Sequence, residues 1–158
     1  MKKIDDIDCQ ILMLLQKDGR ITIKEMAAQL GMSTTPIFER TKKLEKAGII
    51  SHYAAVLDPD KLGKKLYAFA HITLKNHTKE LVKHFTEEIE KIPQVMECHY
   101  VTGDSDFILK ILLNDMEKYR EFVMNSIFEM DNIAKVETFL SLSVLKSSSV
   151  IPVEVSGG

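Results

Sequence analysis

Four positions within fifteen residues constrain this chain more than anything else in it. Counting Ile23 as one, Ala27 falls at five, Gly31 at nine and Ile37 at fifteen. Each residue type has a physical reason to stand there. Two short helices that cross closely need a small side chain at the contact, a glycine for the left-handed turn between them, and an aliphatic side chain to seat the second helix on the first. This is helix-turn-helix spacing, and it lies within "IKEMAAQLGMSTTPIFERTKKLE".

The second helix of the pair is predicted to start with Ser33 as its cap, to tolerate Pro36 in its first turn, and to end at Gly48. Ile37, Thr41 and Leu44 recur at i, i+4 and i+7 and face inward. The opposite side then displays Thr34, Thr35, Phe38, Glu39, Lys42 and Lys43, with Arg40 in the same basic run. Such a helix can enter a major groove, its hydroxyls and lysines near phosphates and its aromatic ring against a thymine methyl. A lysine-rich face on a generic three-helix bundle is the plain alternative. Two details favour DNA: Phe38 stands on a polar face, and "IISHYAAVLDPDKLG" reads as a strand and turn where a wing would follow. The candidate DNA-binding residues are Ser33, Thr34, Thr35, Phe38, Glu39, Arg40, Lys42 and Lys43.

Charge supports a local basic surface. The net charge is only -2, but residues 1–50 carry +2 and the remainder -4. Ahead of the paired helices, Asp5 and Asp8 are placed to cap a first helix whose Ile7, Ile11, Leu14 and Leu15 share one face, with Gly19 as its stop. At 158 residues and 45 % apolar content, the chain suits one domain or two small ones with a real core. Lys2 and Lys3 are followed at once by acids, and no apolar run is long enough for a signal-peptide core or a membrane span, so a cytoplasmic protein is expected. Cys9 and Cys98 lie far apart and the five histidines form no ligand pattern; reduced thiols, no metal and no cofactor are expected.

Composition changes after the helices. Strand-like runs "LYAFAHITL", "VMECHYV", "DFILKILL" and "KVETFLSLSVL" alternate with helical patterns over 79–91 and 115–130. The first helix turns Leu81, Val82, Phe85, Ile89 and Ile92 inward; the second turns Tyr119, Phe122, Val123, Ile127 and Met130 inward, and Asn114 with Glu117 reads as its capping box. The order βαββαβ is ferredoxin-like, with both helices on one face of an antiparallel sheet. The predicted fold is therefore α+β: a helix-turn-helix domain over 1–50, a wing strand and linker over 51–65, a ferredoxin-like domain over 66–146, and a tail over 147–158.

With "DDIDCQILMLLQKDGRITIKEMAAQLGMS", "RTKKLEKAGIISHYAAVLDPDKLG", "CHYVTGDSDFILKI" and "VETFLSLSVLK" in that order, nearly the whole chain resembles the Lrp/AsnC, or feast/famine, transcription regulators. "TTPIFER" departs mildly from the family pattern by placing proline and phenylalanine in the reading helix. The resemblance implies a winged helix-turn-helix joined to a ferredoxin-like amino-acid-sensing domain, assembled as dimers and often octamers.

Taken alone, "VTGDSD" is a hairpin turn, which wants glycine and aspartate in any case. Its chemistry also suits the constant part of an amino acid: backbone N–H groups near Gly103 for a carboxylate, Asp104 or Asp106 for an ammonium. The resemblance implies that the effector binds at this loop, in a pocket completed by a neighbouring dimer, and carries over Gly103, Asp104, Asp106, Thr138 and Ser141 as effector-binding residues. Assembly has its own sequence argument. In "FILKILL", Phe107, Leu109 and Ile111 alternate with Ile108 and Leu112, so the strand is apolar on both faces while two helices cover only one.

Three functions compete. A regulator binding double-stranded DNA and a free amino acid uses both halves. An enzyme lacks a nucleophile with a paired base, a phosphate loop or a metal cluster, so none is expected. An architectural DNA-binding oligomer would use the same helix and the same self-assembly without a ligand.

Overall fold

The computed structural model describes residues 4–154, so Lys2, Lys3 and the end of the tail lie outside the described residues. Two compact units are present: the residues up to Leu57 together with those from Lys146 onward, and Asp58–Leu145.

The first unit is a trihelical cluster of α1 (Asp6–Lys17), α2 (Ile23–Leu30) and α3 (Thr34–Lys46). Reciprocal capping boxes start the first two. Asp5 accepts from the Asp8 N–H and Asp8 from the Asp5 N–H; Thr22 and Glu25 do the same for α2. These bonds satisfy donors that a helix start otherwise leaves open. Ala27 is buried where α2 meets α3, Gly31 takes φ 64° between them, and Ile37 is fully buried in a core with Ile11, Leu12, Met26 and Leu44. The buried Thr41 hydroxyl donates to the Ile37 carbonyl at 2.8 Å, so it costs the core no unpaired polar group.

Two expectations for this unit need correction. Gly19 does not end α1 in a left-handed turn: Asp18, in extended geometry, is the cap, and its carboxylate accepts from the Arg20 N–H at 2.9 Å in an Asx turn. No wing strand forms among the described residues 51–57. An isolated extended segment has no ladder partner, and here Tyr53 turns back to Glu45 instead.

In the second unit, β1 (Leu66–Leu74), β2 (Val95–Tyr100), β3 (Phe107–Leu113) and β4 (Ile133–Leu140) form one antiparallel sheet in the order β2-β3-β1-β4. α4 (Lys79–Glu90) and α5 (Met116–Phe122), the latter continued by a π-type turn over Val123–Ile127, connect the strands. The alternation is strict: Ala68, Ala70, Ile72 and Leu74 of β1 and Phe107, Leu109, Ile111 and Leu113 of β3 are buried with Phe85, Ile89, Phe122 and Ile127. Their neighbours Tyr67, Phe69, His71, Ile108, Lys110 and Leu112 occupy the other face, with Glu137 and Phe139 beside them in register on β4.

Three local readings differ here. Asp115, not Asn114, caps α5, accepting from the Lys118 N–H at 2.9 Å, while Asn114 accepts from Lys64. The helical pattern over 115–130 holds as a regular α-helix only to Phe122. β4 starts two residues before Lys135 and stops at Leu140, because its partner β1 begins at Leu66 and the last ladder-like bond is Ser141 N–H to Tyr67 carbonyl. Among the described residues, no helix is long and apolar enough to cross a membrane.

Candidate nucleic-acid interface and effector loop

On α3 the inward set is Ile37, Thr41 and Leu44, and Thr34, Thr35, Phe38, Glu39, Lys42 and Lys43 are all exposed. Ser33 holds the N-cap position by its backbone (φ -76°, ψ 160°), but its hydroxyl makes no capping bond, and the first turn carries no acid. That end of α3 therefore keeps its positive dipole and its open N–H donors. Phe38 is 50 % exposed and, with Met26, Thr41, Lys42, Glu45 and Tyr53, lines a shallow cavity of about 240 Å³.

The lysines are not equivalent. Lys42 Nζ donates to Glu45 Oε2 at 2.7 Å and stands 6.0 Å from the Phe38 ring centre. Glu45 Oε1 accepts from the Tyr53 hydroxyl at 3.1 Å. The Lys42 ammonium first, and the Tyr53 hydroxyl second, hold the Glu45 carboxyl below its ordinary value, while burial and Glu45 push the Tyr53 phenol up. Lys43 is exposed and makes no ion pair among the described residues. Arg40 behaves differently from its neighbours: its Nη1 donates to Asp5 Oδ2 at 2.6 Å and to Asp8 Oδ1 at 2.7 Å, so the guanidinium lies against the start of α1. Asp8 is 4 % exposed, and without Arg40 it would be a buried carboxylate short of a partner. Sequence reading found the two acids as helix caps but missed this cross-helix pairing.

In the other unit the loop Val101–Asp106 joins β2 to β3. Val101 N–H donates to the Asp106 carbonyl, and Asp106 N–H to the Ile72 carbonyl, both at 2.8 Å. Asp106 also anchors through its side chain, accepting at Oδ2 from Leu74 N–H (2.7 Å) and engaging His77 Nε2 (2.8 Å). Burial raises the pKa of this carboxyl, but the Leu74 N–H and the His77 ring outweigh that effect and leave it below its ordinary value. The Asp106 carboxylate thus fixes the loop to the end of β1 through Oδ2. Asp104 is exposed, and its carbonyl meets the Thr73 hydroxyl at 3.4 Å. Gly103 takes φ 130°, a conformation that glycine adopts readily.

The remaining two effector candidates make no hydrogen bond to this loop among the described residues. Thr138 pairs with Ala70, and Ser141 meets Tyr67, whereas the loop meets Ile72 and Leu74. The six steps along β1 from Tyr67 to Thr73, at about 3.3 Å each, place Ser141 roughly 20 Å along the strand from the loop. His77 is the residue that sequence reading missed; it lies 29 positions from its partner and belongs to no local pattern.

A family model for winged helix-turn-helix DNA-binding domains matches residues 4–51, and one for the Lrp/AsnC ligand binding domain matches residues 67–151. The leucine-responsive regulatory proteins of Klebsiella pneumoniae and Escherichia coli K12 are each 35 % identical over 148 residues, covering 94 % of this chain and 90 % of theirs. Among solved structures, an AsnC family regulator from Agrobacterium tumefaciens matches with a TM-score of 0.91 at 31 % identity, covering 94 % of this chain and 97 % of its own. A Neisseria meningitidis transcriptional regulator solved as an L-Met complex matches with a TM-score of 0.90 at 29 % identity, covering 95 % and 97 %. Like those structures, this chain has a helix-turn-helix unit followed by a four-stranded antiparallel sheet with helices, and it belongs to the Lrp/AsnC family of transcriptional regulators.

Proposed function

We propose that this regulator binds double-stranded DNA through α3 and that a free amino acid, taken at the 103–106 loop, changes its assembly and its DNA affinity. The observation that carries the DNA half is the outward face of α3, where Thr34, Thr35, Phe38, Glu39 and Lys43 stand clear of the core. Ser33 and Lys43 meet phosphate, Thr35 and Phe38 read bases, and Lys42 joins them after exchanging Glu45 for the backbone of DNA. Arg40 acts as a brace that sets the pitch of α3 on α1, rather than as a direct contact.

For the ligand half, Asp104 is the ammonium partner, and the backbone of Gly103 faces the carboxylate. Asp106 holds the loop in shape through Oδ2. Thr138 and Ser141 contribute from another copy; the length of β1 separates Ser141 from the loop of its own chain. Self-assembly uses the open sheet face, where Phe69, Ile108, Leu112 and Phe139 lie together on the three adjacent strands. A dimer is the basic unit, an octamer the larger one, and the cytoplasm the place of work. Nothing in either unit calls for an enzymatic role.

The Neisseria relative was solved with L-methionine, so methionine and leucine head the panel. A thermal-shift series of the twenty amino acids tests the reading, since a ligand that binds only the folded state raises Tm. A shift with at least one of them supports sensing. No shift at millimolar concentration leaves an architectural DNA-binding oligomer.

A further inference from the structure

The chain leaves the DNA-binding unit after Leu57 and re-enters it at Lys146. The returning segment has no regular structure, yet it is held by specific contacts. Gln16 of α1 grips the backbone of Ile151 at both ends of its amide: Nε2 donates to the Ile151 carbonyl at 3.0 Å, and Oε1 accepts from the Ile151 N–H at 2.7 Å. An amide side chain can imitate the edge of a neighbouring strand in this way. Pro152 follows, and it has no N–H to leave unpaired. Val153 packs against the core formed by Ile11, Leu12 and Ile37, and the Cys9 thiol donates to the Glu154 carbonyl at 3.4 Å. Residues 149–154 and 49–56, with α1, line an open groove of about 1120 Å³.

These contacts are few and partly wet. Val150 and Ile151 are exposed, Val153 is half-buried, and the run Lys146–Ser149 ahead of them is exposed and serine-rich. Segments with few buried contacts and solvent-exposed hydrogen bonds open at a small fraction of the free energy of global unfolding. The approach to this segment is the end of β4, the strand that carries Thr138, with Ser141 just past its last residue.

We propose that residues 149–154 are a releasable strap on the DNA-binding unit: a second tether, beside the 51–57 linker, through which the state of β4 reaches α1. Strap docking stands on the contacts above. The coupling to β4 rests on the amino-acid reading of the previous subsection.

Cys9 supplies the readout. It is 1 % exposed, beneath Glu154, and burial first, then the neighbouring acids, push its thiol pKa up, so it reacts slowly when covered. Cys98 is exposed and must be removed. In a full-length Cys98→Ser background, maleimide labelling of Cys9 is compared with that of Gln16→Ala and of a chain ending at Ser148. Docking predicts that both changes speed labelling by about tenfold or more, as local opening exposes a covered thiol. Equal rates in all three proteins overturn it. If loss of Val153 unfolds the truncated unit, seen as lost helical circular dichroism, Gln16→Ala alone decides, because it removes only the fork.

Coupling is read separately. Gln16→Ala is expected to bind DNA as tightly as the background protein without amino acid, and to lose the change in affinity that L-methionine or another active amino acid produces. Faster labelling with a full amino-acid response refutes coupling and leaves docking. A background protein that responds to no amino acid removes the functional reading and the coupling with it, while the labelling rates still decide docking.

Discussion

Arg40 shows how far one residue's role depends on what stands across from it. Sequence places it in a basic run on a helix predicted to touch DNA, and the structure turns its guanidinium onto Asp5 and Asp8. Replacing Arg40 with alanine is expected to lower the stability of the DNA-binding unit by about 1.5–3 kcal/mol, the range for hydrogen bonds to charged groups, measured by urea unfolding at pH 7. Acid adds a second check. The Asp8 N–H first, and Arg40 next, hold the Asp5 carboxyl below its ordinary value. A carboxylate with a depressed folded value stabilises fully above its unfolded pKa, near 3.9, and loses that contribution as pH falls through the folded value. The wild type therefore loses this increment below about pH 4, and Asp5→Asn, which has none to lose, shows a flatter stability profile there. Lys42 is the reverse case, a residue the helical pattern placed correctly but whose partner it could not supply. Its exposed pair with Glu45 is weakened by water and salt, so DNA can displace it. Lys42→Ala should weaken binding to all sequences and reduce the slope of log affinity against log salt by about one unit, whereas Glu45→Gln should strengthen binding without changing sequence preference.

Elements were legible where a periodic pattern met its own packing partner. α2 and α3 follow from Met26, Ala27, Ile37 and Leu44, and β1 and β3 from alternations that the ladder between these two strands uses without a slip. Legibility failed where the outcome depended on distant chain. "IISHYAAVL" and "SLSVL" have strand composition, but a strand exists only with a neighbour, and β1 has none to offer beyond Leu66. The end of α1 went to Asp18 rather than Gly19 because a side-chain Asx turn stops a helix without a left-handed residue. The site followed the same rule: the loop could be read from Gly103, Asp104 and Asp106, but not the His77 and Leu74 contacts that fix it, which come from the far end of β1 and the turn after it. The α5 cap offers a direct comparison. Asp115→Ala should cost about 1 kcal/mol, the usual loss of a capping side chain, and Asn114→Ala, which removes only an exposed contact with Lys64, clearly less; chemical denaturation of the two variants separates them.

At the scale of the whole molecule, the sheet has one face closed by helices and one left apolar in part. Ile108 and Leu109 are adjacent in sequence and on opposite faces, so they give a matched pair of tests. Leu109→Asp buries a charge in the helix-covered core and should unfold the second unit, a loss of more than about 4 kcal/mol. Ile108→Asp should leave that unit folded by circular dichroism and shift the particle to a smaller mass by light scattering, because the second sheet no longer packs. A wild type that is already monomeric at micromolar concentration contradicts the assembly. The proposed dimer, with one α3 from each copy on DNA, in turn predicts a roughly palindromic target with half-sites one helical turn, or a multiple, apart.

Assembly, DNA affinity and ligand meet in one titration. The full-length protein is titrated by fluorescence anisotropy into DNA selected from a random pool, alone and with each of the twenty amino acids at millimolar concentration. The account predicts salt-sensitive binding to a palindromic sequence and a change in Kd of about fivefold or more with at least one amino acid, the scale of ordinary coupling between sites. Binding that no amino acid alters, or a protein that selects no DNA, would contradict it.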